Sequence, residues 1–216
     1  GKGLPWHVCE SMTGKLKFNI SNGTYNITIV NPGGESNEGE SRWDCQFRHR
    51  GLTIDAGHKY RITYSVKASK TGHLYAKIGD MVDPDIEYWH SNGLELSMPT
   101  LATDATQADV ERELKAAKKT GKNVEYGQGW DAWKSETVPA NKWVTKAFEF
   151  TATEGCVGTG EYTFHFGGDG EYSVPGGCFP AGTELQFDNM SLIDLTNNKS
   201  NYPIEEPYVA NKILVN

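Results

Sequence analysis

Apolar and polar residues alternate over several short segments of this chain, the spacing that is typical of half-buried β-strands. In the first segment Leu16, Phe18 and Ile20 alternate with polar residues, and the dipeptide Asn22-Gly23 that follows favours a tight hairpin turn. The same alternation recurs at 25–29, 42–50, 58–67, 73–79, 143–151, 161–167 and 184–195. About eight such strands predict an all-β protein in which two sheets pack as a sandwich or jelly roll.

The segment 80–142 does not follow this alternation and is interpreted as a long excursion between two strands. It contains one predicted surface helix at about 105–120, with Asp104 as the N-cap candidate and Gly121 after the last turn. The apolar stripe of this helix is narrow, which indicates that it lies on a surface. Long loops on a rigid scaffold usually carry function.

The segment 197–216 is polar and contains prolines, a composition typical of a linker. Its last residues, 212–216, are similar to the first strand of a further module. We therefore expect one sandwich domain at 1–196, followed by a linker and the start of another module. The first residues lack the apolar region of a signal peptide, so we expect any secretion signal to have been removed or to lie upstream.

Charge and composition argue against several classes of ligand. The chain has 21 Lys and Arg against 28 Asp and Glu, and its net charge of −7 argues against binding nucleic acid or an anionic membrane surface. No segment approaches the roughly 20 apolar residues of a membrane span. The 24 glycines, with 10 Tyr, 6 Trp and 8 Phe, fit short strands joined by tight turns.

The cysteines Cys9, Cys45, Cys156 and Cys178 form no CxxC pair, so a zinc site is not expected. Among the disulfide connectivities that these cysteines allow, we prefer a bridge between Cys156 and Cys178 because both flank the same strand and loop. Cys45 lies within a predicted strand and is expected to be a buried thiol.

Catalytic motifs are scarce in the sequence. Ser36 does not lie in a G-x-S-x-G element, and no zinc-protease, P-loop or dinucleotide-binding motif occurs. A pair of carboxylates can hydrolyse a glycosidic bond, and Glu161 with Asp44 is the candidate pair. We favour the simpler interpretation that Glu161 accepts hydrogen bonds from sugar hydroxyl groups.

Polar positions of three predicted strands fall on one face of the sandwich. Their amide, guanidinium, carboxylate and imidazole groups suit neutral polyols, whose hydroxyls both donate and accept hydrogen bonds. The set is Gln46, Arg48, Arg50, Tyr75, Lys77, Glu161, Thr163 and His165. The aromatic rings available to stack on sugar rings are Trp43, Tyr88, Trp89, Trp130 and Trp133. Trp6 and Trp143 are expected to pack in the core or at strand edges.

Several segments resemble carbohydrate-binding modules of family 4, and more broadly the β-jelly rolls of families 4, 9 and 22. They are 4–10 (LPWHVCE), 42–60 (RWDCQFRHRGLTIDAGHKY), 75–81 (YAKIGDM), 87–89 (EYW), 161–168 (EYTFHFGG) and 187–192 (FDNMSL). The segment 207–216 resembles the start of the immunoglobulin-like module that precedes the catalytic domain of cellulosomal family 9 glycoside hydrolases.

The resemblance implies a β-jelly roll whose concave groove binds single β-1,4-glucan chains. The site residues that it implies are one stacking aromatic, several groove positions and a polar pair on a late strand: Trp43; Arg48, Arg50 and Tyr75; Glu161 and His165. Where relatives carry a second aromatic this chain has Asp85. We expect one of Tyr88, Trp89, Trp130 and Trp133 to replace it.

The resemblance also implies a structural calcium ion, with Asp188 as a side-chain ligand and Gly23 as a carbonyl ligand. Calcium prefers about six or more oxygens, and these two are the ligands that the resemblance identifies in this chain. No other cofactor is expected. The protein is expected to be a secreted, extracellular and monomeric module of a bacterial cellulosomal enzyme, covalently linked to immunoglobulin-like and family 9 catalytic modules.

The main hypothesis is a non-catalytic carbohydrate-binding module for β-1,4-linked glucans, such as amorphous cellulose, cello-oligosaccharides and mixed-linkage β-glucan. It would target an attached cellulase to plant cell-wall polysaccharide. Two alternatives stay open: a jelly-roll β-glucanase that uses Glu161 and Asp44, and a structural or docking module that contacts its partner through the helix at 105–120.

Overall fold

The computed structural model describes residues 6–34, 42–91, 136–168, 179–197 and 199–201, with single positions at 106, 108, 109, 112, 115 and 116. The strands in these residues are β1 (Trp6–Glu10), β2 (Lys15–Ser21), β3 (Thr24–Asn31), β4 (Cys45–Ile54), β5 (Lys59–Ala68), β6 (Gly72–Asp80), β7 (Glu87–His90), β8 (Glu136–Val138), β9 (Val144–Thr151), β10 (Cys156–His165), β11 (Glu184–Asp194) and β12 (Lys199–Asn201). A 3₁₀ turn at Arg42–Asp44 precedes β4.

The strands form two antiparallel sheets with the core between them. The first sheet has the order β1-β4-β10-β6-β7, and β8 also pairs with β6. The second sheet has the order β2-β3-β11-β5-β9, and β12 also pairs with β11. Most neighbouring strands are distant in the chain, as in a jelly roll, where connections cross between sheets. The predicted all-β sandwich is confirmed.

Aromatic rings dominate the core. Trp6 stacks on Phe47 with ring centroids 4.9 Å apart, and it is buried as predicted. Phe187 of the second sheet lies 5.1 Å from Phe47 and 4.8 Å from Phe164 of the first sheet. Each large ring removes on the order of 150–250 Å² of surface from water. This packing holds β4 and β10 in place, and those strands carry the polar face.

The hairpin between β2 and β3 turns at Asn22 and Gly23, whose φ angles are 51° and 74°. Two successive residues with positive φ are what a two-residue turn of type I′ requires. Ser21 pairs with Thr24 directly across this turn. The Asn-Gly dipeptide therefore predicts the turn correctly.

The segment 80–142 is part of the sheet at both of its ends, which corrects the expectation of one long excursion. Strand β7 pairs with β6, and β8 pairs with another stretch of β6. The described positions 108, 109, 112, 115 and 116 are helical, and the rest of the predicted helix at 105–120 lies outside the described residues. No helix in the described part of the chain is long and apolar enough to span a membrane.

The structure describes three of the four cysteines as thiols. Cys45 is buried, as predicted. Cys156 is a thiol whose Sγ lies 3.8 Å from the Leu52 carbonyl oxygen in the β4–β10 ladder, so the preferred bridge is absent at Cys156. Its expected partner Cys178 lies outside the described residues.

Strand β12 pairs with β11 beyond the predicted domain boundary at 196, and the following module stays a prediction.

Candidate functional site

An open groove of about 600 Å³ crosses the outer face of the first sheet. Side chains from β4, β6 and β10 form its floor, and its ends are the 3₁₀ turn before β4 and the turn between β6 and β7. The lining residues are Arg42, Trp43, Gln46, Arg48, Arg50, Lys77, Asp80, Met81, Pro84, Asp85, Glu87, Glu161 and His165. The predicted ligand-binding residues among them are Trp43, Gln46, Arg48, Arg50, Glu161 and His165.

Strand alternation explains how the floor residues reach the groove. Along β4 and β10 alternate side chains enter the core, and the side chains between them face outward. The antiparallel register then aligns them in rows across β4, β10 and β6: Gln46–His165–Tyr75, Arg48–Thr163–Lys77 and Arg50–Glu161–Gly79. We call these the first, second and third rows. The structure thus places both strands' polar residues on the predicted face.

An ion pair fixes the third row. Arg50 Nε donates a hydrogen bond to Glu161 Oε2 at 2.8 Å. Glu161 is 6% exposed, whereas 34% of the Arg50 side chain faces solvent. A charge-assisted bond of this length holds both groups in place, so their remaining polar atoms have defined positions for the hydroxyl groups of a ligand.

A second network fixes Arg48 and Gln46. Arg48 Nε donates to His7 Nε2 at 3.2 Å, and Arg48 Nη1 donates to Gln46 Oε1 at 3.4 Å. Gln46 Nε2 donates to the carbonyl oxygen of Trp43 at 2.9 Å. Burial lowers the pKa of Arg48, but a guanidinium keeps its charge at any physiological pH. The network links the floor of the groove to the turn that carries Trp43.

Trp43 lies at one end of the groove, in the 3₁₀ turn, and is partly exposed. The Arg42 guanidinium lies 5.7 Å from the centroid of its ring. A partly exposed indole beside polar groups offers a flat apolar surface. This is the position that a sugar-stacking residue needs.

Tyr75 does not line the groove, which corrects its predicted role. The Arg42 guanidinium covers its ring at 4.1 Å from the centroid, and Tyr75 is 1% exposed. The Tyr75 hydroxyl donates to Glu87 Oε2 at 2.7 Å, and Lys77 Nζ lies 3.6 Å from Glu87 Oε1. Tyr75 therefore supports Arg42 and Glu87 from beneath the groove.

His165 lies in the first row and is 6% exposed. Burial lowers the pKa of its imidazole well below the usual value, and the positive charges of Lys77, Arg42 and Arg48 lower it further. The ring is therefore neutral near pH 7, with one nitrogen donating and the other accepting a hydrogen bond. Both capacities suit a ligand that carries hydroxyl groups.

A β-bulge in β7 corrects the predicted role of Trp89. Trp89 pairs with Ile78 and Glu87 pairs with Gly79, so Tyr88 is the additional residue between them. The bulge turns Glu87 toward the groove and Trp89 into the core, where its side chain is 0% exposed. Trp89 cannot stack on a ligand from this position.

The end of the groove opposite Trp43 lacks an aromatic platform among the described residues. Tyr88, also predicted to bind, is buried and donates its hydroxyl hydrogen bond to Asp80 Oδ2 at 3.0 Å. Met81, which is 42% exposed, lines this end. The remaining aromatic candidates, Trp130 and Trp133, lie outside the described residues.

Arg42 and Glu87 are groove residues that no pattern in the sequence indicates. Arg42 directly precedes Trp43, but its contact with Tyr75 joins parts of the chain whose proximity alternation does not show. Glu87 faces the groove because of the bulge, and strict alternation would have placed it on the same face as Trp89. Met81 and Pro84 enter the site through the turn between β6 and β7, and Asp80 enters it as the last residue of β6.

Asp44 lies away from the groove, so the predicted catalytic pair with Glu161 is wrong. The Asp44 carboxylate is fully buried and accepts hydrogen bonds from Ser11 Oγ at 2.7 Å and from the Gly34 N–H at 2.9 Å. Glu161 stands opposite Arg50, roughly 20 Å from Asp44 along β4 at about 3.3 Å per residue. Two catalytic carboxylates need a separation of about 5–9.5 Å.

The predicted calcium ligands do not complete a metal site in the described residues. Burial raises the pKa of Asp188, and its Oδ1 accepts a hydrogen bond from the Asn189 N–H at 2.8 Å. Asp188 and Gly23 together supply one carboxylate and one carbonyl, whereas calcium takes about six to eight oxygens. The described residues that bring three metal-binding side-chain atoms together lie elsewhere, at Asp55, His58 and Asp194. Calcium at Asp188 stays a prediction.

Sequence comparison finds two similarities. Residues 1–99 match the model of a family described as "Carbohydrate binding domain". A cellulose 1,4-beta-cellobiosidase of Acetivibrio thermocellus is 34% identical over 96 residues, which cover 41% of this chain and 10% of that relative. The match therefore spans about a tenth of the relative's length.

Solved structures are similar over most of the chain. One described as "CBM4 structure and function" has a TM-score of 0.54 at 16% identity, over 87% of this chain and 84% of that chain. The N-terminal cellulose-binding domain of Cellulomonas fimi β-1,4-glucanase C has a TM-score of 0.49 at 14% identity, over 88% of both chains. The first likeness establishes the fold. The family match over residues 1–99 confirms the predicted resemblance to carbohydrate-binding modules of family 4.

Proposed function

We propose that this chain binds β-1,4-linked glucan chains in its groove without catalysis, as a carbohydrate-binding module. The observation that carries the proposal is the groove itself, an open channel of about 600 Å³ with Trp43 at one end and fixed polar groups along its floor. An open channel accepts internal segments of a polymer. The ligands we propose are amorphous cellulose, cello-oligosaccharides and mixed-linkage β-glucan.

Stacking and hydrogen bonds both contribute to the free energy of binding. The Trp43 ring covers the C–H face of one sugar, and the apolar area removed from water contributes about 25 cal/mol per Å². The polar groups of the floor bond to hydroxyls without being reordered, which limits the entropy lost on binding. These groups are Gln46, Arg48, Arg50, Glu161 and His165. Each hydrogen bond replaces one to water, so we expect a Kd of about 10⁻⁴ to 10⁻⁶ M.

The proposed context is a larger secreted enzyme. The similar cellobiosidase is far longer than the matched segment, which supports a chain that works beside other modules. We propose that an attached bacterial cellulosomal cellulase, with immunoglobulin-like and family 9 catalytic modules, is held at plant cell-wall polysaccharide by this module. Such tethering raises the effective concentration of the catalytic module at the polymer.

Depletion by insoluble cellulose tests the proposal. Acid-swollen amorphous cellulose should remove the wild-type chain from solution, and it should remove far less of the Trp43→Ala variant. Lys67→Gln, on the outer face of the second sheet, is the matched control and should bind like wild type. The proposal is wrong if the wild-type chain stays in solution, and its non-catalytic part is wrong if soluble reducing sugar accumulates.

A further inference from the structure

Most of the carboxylates of the groove lie away from Trp43. Glu161, Asp80 and Asp85 lie in the third row or beyond it, toward the turn between β6 and β7. The Glu87 carboxylate extends back to the Tyr75 hydroxyl at 2.7 Å and to Lys77 Nζ at 3.6 Å. In the described part of the chain no residue of the first or second row is itself acidic, and these rows lie toward Trp43.

Two of the cations in the groove have carboxylate partners. Arg50 pairs with Glu161 at 2.8 Å, and Lys77 of the second row reaches Glu87 at 3.6 Å. These pairs balance the charge of Arg50 in the third row and of Lys77 in the second row. The cations that remain are Arg42 and Arg48, and both lie toward Trp43.

Arg42 is 6% exposed and has no carboxylate partner among the described residues. Its guanidinium lies over the Tyr75 ring, and its Nε and Nη1 atoms are buried without a hydrogen-bond acceptor. The acidic residue nearest to it in sequence, Asp44, is directed to Ser11 and Gly34. A buried cation without a counter-charge is costly, so an anion bound beside Arg42 is favoured.

Arg48 donates hydrogen bonds to His7 Nε2 and Gln46 Oε1 in the described structure, and neither partner is a carboxylate. His165 lines the same groove, and it carries no compensating charge because burial and the positive charges of Lys77, Arg42 and Arg48 lower its pKa. The Trp43 end of the groove therefore holds two guanidinium groups, a neutral imidazole and an aromatic surface. Guanidinium groups bind carboxylates more strongly than neutral hydroxyls, through charge-assisted and often bidentate hydrogen bonds.

We propose that the Trp43 end of the groove binds a uronate unit, so that the preferred ligand is a β-1,4-linked glycan carrying carboxylate groups. The uronate carboxylate lies against Arg42 and Arg48, while its ring stacks on Trp43. The inference rests on the proposed function, because it assigns a preferred sugar to the same groove. It adds a carboxylate to the ligand, which the neutral-glucan hypothesis does not require.

The test compares two hexasaccharides by isothermal titration calorimetry. One is cellohexaose, and the other is cellohexaose oxidised at C6, in which carboxylates replace hydroxymethyl groups on an otherwise identical backbone. We expect the oxidised sugar to bind about ten-fold more tightly at 50 mM NaCl. The preference should shrink at 500 mM NaCl, where charges are screened over about 3–5 Å instead of about 14 Å.

Variants then assign the preference to the arginines. Arg48→Gln should reduce the ratio of the two affinities to within about two-fold, and Arg48→Lys should retain part of it. The Lys67→Gln control removes a positive charge remote from the groove and should leave the ratio unchanged. Arg42→Gln should act like Arg48→Gln. Circular dichroism checks its folding, and Arg48→Gln alone decides the question if Arg42→Gln does not fold.

The outcomes separate this inference from the proposed function. If cellohexaose binds as tightly as its oxidised form, the uronate preference is wrong and the glucan groove stands. If neither sugar binds, both proposals are wrong. A preference that survives in Arg48→Gln also overturns the inference, because the charge responsible then lies elsewhere.

Discussion

Arg50 and Glu161 are directly opposite in the β4–β10 ladder, and their side chains form a 2.8 Å hydrogen-bonded ion pair on the floor of the groove. The pair is far apart in the chain and forms only when the first sheet is assembled. The pair therefore contributes to the stability of the sheet and also fixes the positions of two side chains in the candidate binding site. The carboxylate is nearly buried while the guanidinium is partly exposed, so the contribution of the pair to folding is moderate.

Replacing Glu161 by Gln keeps the shape of the side chain and removes its charge. We expect the free energy of unfolding to fall by about 1 kcal/mol, and the affinity for cellohexaose to fall several-fold because Arg50 loses its fixed position. Urea unfolding and calorimetry measure the two effects. Glu184→Gln, an exposed change on the second sheet, is the control, and equal behaviour of the two variants would contradict the role of the pair.

Trp43 and Trp89 provide a matched comparison between a groove tryptophan and a core tryptophan. Trp89→Leu should lower the free energy of unfolding by about 2–4 kcal/mol, because it leaves a cavity in the core. Its folded fraction should bind cellohexaose within about two-fold of wild type. Trp43→Leu should show the reverse, with a stability change below about 1 kcal/mol and an affinity loss of at least about ten-fold. The opposite pattern would contradict the assignment of Trp43 to the groove and Trp89 to the core.

The Tyr75→Phe variant tests whether Tyr75 supports the groove residues from beneath or contacts the ligand. Tyr75→Phe removes the hydroxyl that donates to Glu87 at 2.7 Å and should cost about 1 kcal/mol of stability. Because the Arg42 guanidinium covers the ring, the affinity for cellohexaose should change by less than about three-fold. Thermal unfolding and calorimetry on the same sample decide this. A large loss of affinity with unchanged stability would show that Tyr75 contacts the ligand.

Stability should decrease on mild acidification. Burial, with His7 nearby, lowers the pKa of His49 from 6.5 to about 4, and the pKa of His165 is shifted in the same direction. Below pH 6.5 the unfolded chain binds protons that these folded histidines do not, so the free energy of unfolding falls as the pH drops. The contribution is fully present above pH 6.5.

For His49 the expected loss between pH 7 and pH 5 is about 1–2 kcal/mol. Urea unfolding at both pH values measures it. The His49→Gln variant has no titrating group at this position, so its stability should change less between the two pH values, whatever its absolute stability. An equal pH dependence in wild type and variant would show that His49 titrates normally in the folded chain.

The alternation of residues predicts the first sheet best where one face is apolar and the other polar. In β4 and β10 the burial of aromatic rings such as Phe47 and Phe164 fixes which face each residue takes, so Arg48 and Glu161 were placed on the correct face. A register error of one residue would bury those charges. The sequence therefore determines clearly which residues of these two strands face the core and which face outward.

Trp89 was predicted to stack on a ligand as an aromatic residue of the segment 80–142, which was interpreted as an excursion between strands. The structure has strand β7 there, with a bulge at Tyr88 that a sequence pattern does not show, and Trp89 enters the core instead of the groove. Tyr75 was misplaced for a different reason. Its face was correct, but Arg42 covers it, and a contact between two distant segments is a property of the assembled fold.

Isothermal titration calorimetry with cellohexaose, on wild type and on Trp43→Ala, decides whether this groove binds β-1,4-glucans. We expect a wild-type Kd of about 10⁻⁴ to 10⁻⁶ M, and a value at least about ten-fold weaker in the variant because the stacking surface is lost. Since the ligand is neutral, the wild-type Kd should be nearly the same at low and high salt. No binding heat from the wild type at millimolar sugar, with the chain shown to be folded, would contradict the claim that this groove binds β-1,4-glucans.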